Sequence, residues 1–211
     1  MKQEKTVLFL VILAMVTSFM CSAQRGVKTA VYNIHAMGMD VGTITVNQEV
    51  KDDEIFVEAI SEVEVRIIFK IKVKYVQTSI YSNGVMKESL LEIYKKGKVN
   101  STTRLTKNGK GYTLNKNGKV SYINDVIKYS GSLLWFHEPK EGMDMFFEIS
   151  GEKTVVEPIS AHEYSITDPH NGNKNEYNFK NGVLQKAIIK HTMANVYLKL
   201  KGAVTKGAGA K

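Results

Sequence analysis

The sequence predicts a mainly β protein, a strongly curved antiparallel meander sheet or partial barrel with one short helical or irregular plug near residues 126–137. Three observations carry this. A period-two alternation runs through Val63-Glu-Val-Arg-Ile-Ile-Phe-Lys-Ile-Lys-Val-Lys-Tyr75, apolar at every odd position and charged at every even one except Ile68. Asn-Gly recurs at 83–84, 108–109, 117–118, 171–172 and 181–182, the dipeptide that suits tight hairpin turns. No stretch keeps a helical period for more than about two turns.

Before the first strand, residues 1–23 read as a secretory signal peptide. Lys2 and Lys5 form a basic start, Val7 to Met20 is apolar apart from Thr17 and Ser18, and Cys21-Ser22-Ala23 puts small residues before a cleavage point at Gln24. A membrane anchor is disfavoured because the run falls short of the ~20 apolar residues a span needs. Lipidation of Cys21 is the competing reading, weakened by bulky Phe19 and Met20 where small residues belong. The expectation is therefore an exported chain, periplasmic or secreted, with no transmembrane span after cleavage. Cleavage also removes the only cysteine, so neither disulfide nor thiol chemistry follows. The formal charge of +8 speaks first to solubility. An exported protein does not meet nucleic acid, which leaves acidic envelope surfaces as the partners such charge would favour.

The elements follow in order. Residues 30–36 form a strand, and Gly38 and Gly42 bracket a turn or bulge at Met39-Asp40-Val41. Residues 43–50 form the next strand, residues 51–54 a turn, and Ile55 to Ile60 leads into the long strand at Val63–Tyr75. From Tyr75 to Ile123 the Asn-Gly turns and Lys96-Gly97-Lys98 mark successive hairpins. The pattern changes at 125–139, where Ser130-Gly131-Ser132 interrupts any strand. Leu133-Leu134-Trp135-Phe136 is a dense apolar cluster and Pro139 ends it. Strands resume at 145–149, 155–159, 163–167, 176–179, 183–191 and 196–201. The expected organisation is one β domain over 24–201, about a dozen strands in all, followed by a flexible tail at 202–211 rich in Gly and Ala.

Five segments carry a resemblance: Tyr32-Asn-Ile with Met39-Asp-Val-Gly-Thr43, Tyr81-Ser-Asn-Gly-Val-Met86, Leu134-Trp-Phe-His-Glu-Pro139, Tyr177-Asn-Phe-Lys-Asn-Gly-Val183, and the strand at 196–201. Together they resemble a family of exported bacterial proteins of unknown function across nearly the whole chain after residue 23. The resemblance implies the β fold and no assigned activity or catalytic residues. A looser likeness, at the level of fold alone, is to the curved sheets of periplasmic lipoprotein carriers.

The residues themselves offer no catalytic grouping. His35, His137, His162, His170 and His191 lack metal-ligand spacing, and His137-Glu138 on a strand would point to opposite faces. No Gly-x-Ser-x-Gly elbow and no phosphate loop is present, and Asp168-Pro-His-Asn-Gly-Asn173 reads as a loop tip. The expectation is a non-enzyme without cofactor or metal. Val65, Ile67, Phe69 and Ile71, with Trp135 and Phe136, are the expected apolar face. They are core by default, and a ligand-binding wall if the sheet closes incompletely. Arg66, Lys70, Lys72 and Lys74 occupy the opposite face, either as a solvated surface or as a contact for an anionic partner. Two functions stay open: a binding or carrier module for a hydrophobic or lipid-like ligand in the cell envelope, and a structural or interaction protein of the envelope with a filled core.

Overall fold

The structure is a computed structural model that describes residues 26–66, 70–192 and 194–207. The segment expected to be a signal peptide, residues 1–23, lies outside the described residues. Fourteen strands run in chain order as β1 (Gly26–Ala36), β2 (Met39–Lys51), β3 (Glu54–Arg66), β4 (Lys70–Ser82), β5 (Val85–Lys95), β6 (Lys98–Asn108), β7 (Gly111–Lys116), β8 (Lys119–Ile123), β9 (Asp144–Phe147), β10 (Glu152–Ser160), β11 (Glu163–Thr167), β12 (Lys174–Lys180), β13 (Val183–Ile189) and β14 (Val196–Gly207). All are antiparallel neighbours in one curved, unclosed sheet of order 8-7-6-5-4-3-2-1-14-13-12-11-10-9.

Local chemistry explains the hairpins. Asn83-Gly84, Asn117-Gly118, Asn181-Gly182 and Lys96-Gly97 each place two successive residues at positive φ, the geometry whose twist matches the strands it joins. Met37-Gly38 does the same between β1 and β2, and the bulge expected at 39–41 falls on Val41, which the β1–β2 register skips. Gly109 alone takes positive φ between β6 and β7. Register shifts occur in the pairings β1–β14, β1–β2, β4–β5, β5–β6, β10–β11 and β12–β13. Bulges of this kind bend a strand and raise its twist, and so they curve the sheet.

Two expectations are corrected. Val63–Tyr75 is not one strand: β3 and β4 pair antiparallel with Glu64 opposite Lys72 and Arg66 opposite Lys70. The alternation hides the reversal because each paired sum is even. Odd residues therefore face odd residues, and the apolar parity passes unbroken from one strand to the next. Residues Gly202 to Gly207 are not a flexible tail either. They continue β14 along β1, with Gly207 opposite Gly26 and Ala203 opposite Ala30. Backbone pairing holds them, so their small exposed side chains are no obstacle. Residues 208–211 lie outside the described residues.

The apolar core fills the concave side. Ala30, Tyr32 and Ile34 of β1, Ile44 and Val46 of β2, Val57 and Ala59 of β3, and Leu184 and Ala187 of β13 point inward. The connection from β8 to β9 crosses between the two sheet edges and enters this interior. It carries a single 3-10 turn at Gly131–Leu133 and buries Ile127, Tyr129, Leu133, Leu134 and Phe136. Its backbone is tied to both arms of the sheet: Met86 N–H donates to Ile127 O at 2.9 Å, Phe146 N–H to Tyr129 O at 3.0 Å, and Leu184 N–H to Trp135 O at 3.1 Å. This is the plug expected near 126–137.

Two glycines separate backbone freedom from close approach. Gly84 has φ +69° with open space around a would-be Cβ, whereas a Cβ at Gly42 would run into the Glu62 carbonyl oxygen. Gly84→Ala is expected to cost about 1–2 kcal/mol through conformation alone. Gly42→Ala is expected to cost more, because the β2–β3 backbones must separate. Thermal unfolding of both variants checks the order, and equal losses would contradict the close approach.

Candidate functional site

The plug does not fill the concave space. Beside it lies a cavity of about 430 Å³, within the usual range of ligand pockets, ~300–1,000 Å³. Its apolar wall is built by Ile34 of β1, Ile44 of β2, Val63 of β3, Leu184 and Ile189 of β13, and Val196 and Leu198 of β14. Leu134 and Trp135 of the plug, with Met145, Phe147 and Ile149, supply the rest. These residues come from strands far apart in the sequence, brought together by the curl of the sheet.

Trp135 is half-buried on this wall and packs on Tyr32, with ring centroids 5.2 Å apart and planes inclined at 51°. Tyr32 is fixed in turn, its hydroxyl donating to Leu184 O at 3.0 Å. Phe136 is buried but does not line the cavity; its ring lies under Lys28 Nζ at 5.9 Å. Val65 and Ile71 are placed by the backbone opposite one another at the far end of β3 and β4. Ile67 and Phe69 lie outside the described residues. Lys72 and Lys74 pair across strands with Glu64 at 3.3 Å and Glu62 at 3.6 Å. Both pairs are exposed, which offsets their charge and contributes little to stability. Arg66 and Lys70 are known here only as strand positions opposite each other.

Sequence reasoning missed the polar side of the cavity. Glu148 lines it while 4% exposed. Its Oε1 accepts from Ser130 Oγ and from Ser132 N–H. Tyr81 Oη lies 2.6 Å from Ser130 Oγ and 3.0 Å from Ser132 Oγ. Burial pushes the Glu148 carboxyl above the ordinary glutamate range, and the serine donors only partly oppose this. Ser130, Ser132 and Tyr81 sit behind the wall and do not reach the cavity. Gln77 and Tyr75 do reach it: Tyr75 O–H donates to Gln77 Oε1 at 2.5 Å. The signal was available, since Gln77 and Ser79 hold the same inward odd positions as Val73 and Tyr81. Glu148 stands in an otherwise apolar run, Met145-Phe-Phe-Glu-Ile149.

The loop Asp168–Asn173 reaches the cavity through Asp168 and exposed His170. The Asp168 carboxylate caps its own loop, accepting from His170 N–H and Asn171 Nδ2, each at 2.9 Å, and makes no pair with the His170 ring. Among the described residues, no three His, Cys, Asp or Glu side chains gather as a metal site, and no helix is long and apolar enough to cross a membrane.

A family model described as a domain of unknown function, DUF6134, matches residues 32–201. The chain belongs to the DUF6134 family. Its match begins at Tyr32 and ends at Lys201, so it takes in the plug and almost every strand that walls the cavity. No curated protein matches. Among solved structures, the chain is similar to the crystal structure of a beta-barrel-like protein of another domain of unknown function, DUF1849, from Brucella abortus. That match has a TM-score of 0.59 at 7% identity and covers 88% of this chain and 100% of that one. At this identity the likeness concerns the fold alone. Neither description names an enzyme.

The buried carboxyl makes stability depend on pH with a defined sign. A folded-state pKa above the ordinary value means that the folded chain binds more protons than the unfolded one as pH rises through that window, so stability falls there. Glu148→Gln keeps an oxygen for the Ser130 and Ser132 donors and removes the ionisation. The variant is expected to gain on the wild type steadily in urea unfolding as pH rises above the ordinary glutamate range. Parallel pH profiles for the two proteins would show that Glu148 ionises at no cost.

Proposed function

We propose that this protein is an exported, non-catalytic binding or carrier module that holds a hydrophobic or lipid-like ligand inside its curved sheet. The observation that carries the reading is the apolar cavity left beside the plug, with Trp135 on its wall. Burial alone supplies affinity in such a space. Each methylene removed from water contributes about 0.8 kcal/mol, so a chain of about ten offsets several kcal/mol of lost translational freedom. The serine and tyrosine hydroxyls that a catalytic reading would need lie behind the wall, bonded to one another and to Glu148. Export is the part of the reading that rests on residues 1–23. A periplasmic or secreted protein of this shape stands where an apolar cargo needs shelter from water.

The test begins with the purified full chain. Native mass spectrometry and organic extraction are expected to find a co-purifying amphiphile. After delipidation, Trp135 emission is expected to shift when a single-chain fatty acid is added. The absence of both would overturn the carrier in favour of a structural envelope protein. Trp135→Ala adds a thermodynamic check. Removing a tryptophan from solid core costs about 3–5 kcal/mol. Here part of the ring faces empty space, so the loss is expected to stay below that range while fatty-acid binding weakens. A full core-sized loss in chemical denaturation would mean that the site is filled.

A further inference from the structure

Among the described residues, four buried side-chain atoms lack a hydrogen-bond partner: Gln48 Nε2, Gln77 Nε2, Trp135 Nε1 and Ser150 Oγ. The last three belong to residues that line the apolar cavity beside the plug. An unpaired buried polar group costs about 1–3 kcal/mol, and native proteins carry few of them. Three on one cavity wall point to a partner that arrives from inside.

The chemistry of the three gives that partner a sign. An indole N–H and an amide NH₂ only donate, and a hydroxyl does both. The Gln77 amide is oriented by its neighbour on the same strand face, since Tyr75 O–H donates to its Oε1 at 2.5 Å and leaves Nε2 as the unpaired end. Burial raises the Tyr75 pKa, which keeps that hydroxyl protonated and donating. Gln77 itself is only 4% exposed, so bulk water does not reach it freely. The polar side of the cavity therefore carries unpaired donors, while its carboxylates, Glu148 and Asp168, already accept from groups of the protein itself.

Taking the carrier reading as its base, we propose that Gln77, Trp135 and Ser150 form a head-group site for the accepting oxygen of a single-chain amphiphile, a carboxyl or ester oxygen. Size limits the tail. At ~30 Å³ per water-sized group, a cavity of about 430 Å³ holds roughly fourteen such groups, one acyl chain rather than two. The competing occupant is an ammonium head drawn by Glu148 on the same wall. An ammonium has three donors and no acceptor, so it could satisfy Ser150 Oγ but would leave the Gln77 amide and the Trp135 indole N–H unpaired. Glu148 already receives Ser130 Oγ and Ser132 N–H, which lowers its need for a cationic partner.

Isothermal titration of the delipidated full chain with dodecanoic acid, methyl dodecanoate and dodecylamine tests this. The acid and the ester are expected to bind at least about tenfold more tightly than the amine. Gln77→Leu removes the amide donor. Trp135→Phe removes the indole N–H but keeps a ring on Tyr32. Each is expected to cut the preference for acid over amine about five- to tenfold, the worth of one hydrogen bond. Amine binding equal to or tighter than acid binding overturns the proposal. So does an unchanged preference in both variants, which would assign the orphaned donors to water. If all three probes bind alike, only the head-group site fails. If none binds, the carrier reading fails with it.

Discussion

The pairing of β1 with β14 is the constraint on which the rest of the structure depends. The first eight strands form one meander and the last six another, each pairing its strands in chain order. Only the ladder from Gly26 opposite Gly207 to Ala36 opposite Val196 makes them one sheet. That ladder puts β8 and β9 at opposite edges of the sheet, although they are consecutive in the chain. The connection between them has to cross the full width. It runs through the interior because bulges curl the sheet and bring its edges towards each other. The plug is thus a product of topology: the crossing segment travels through the concave side and buries its apolar residues on the way.

The cavity follows from the same geometry. A crossing segment of this length occupies part of the interior and leaves the part walled by β1, β2, β13 and β14. Trp135 sits at the boundary, anchored by Tyr32 on one side and by the Leu184 N–H bond to its carbonyl oxygen on the other. Beneath it the Ser130–Ser132–Glu148–Tyr81 network ties the plug to β4 and to the residues after β9. A buried carboxyl and four hydrogen-bonding groups in a mainly apolar interior demand satisfied geometry. That requirement holds the plug in one position and keeps the neighbouring space open.

Much of the architecture was legible because β structure writes itself in short-range signals. Asn-Gly at 83, 117 and 181 and Lys96-Gly97 named their turns directly, and the break at Ser130 with the Leu133–Phe136 cluster named the plug. The missed reversal between β3 and β4 shows the limit. A period of two registers which face a residue occupies, and it is blind to chain direction when a hairpin preserves parity. The strand at 202–207 was missed because Gly202, Ala203 and Gly207 read as flexible, whereas backbone pairing with β1 is what holds the segment. Of the residues expected to bind a ligand, Trp135 stands on the cavity wall. Gln77 and Glu148 carried a local signal, an inward position and an apolar run, but they and Ser150 meet only because strands distant in sequence face one space. Phe136 was grouped with Trp135 by adjacency, yet adjacent residues in an irregular segment need not share a wall.

The partnership of the first and last strands also governs how the fold is reached. Contacts between residues so far apart in the sequence close the largest loop the chain offers, and such pairings form late and slowly. During synthesis β1 waits with one edge bare until β14 has been made, and the cavity has no complete wall before that moment. The wall of the cavity is therefore completed only when β14 docks on β1.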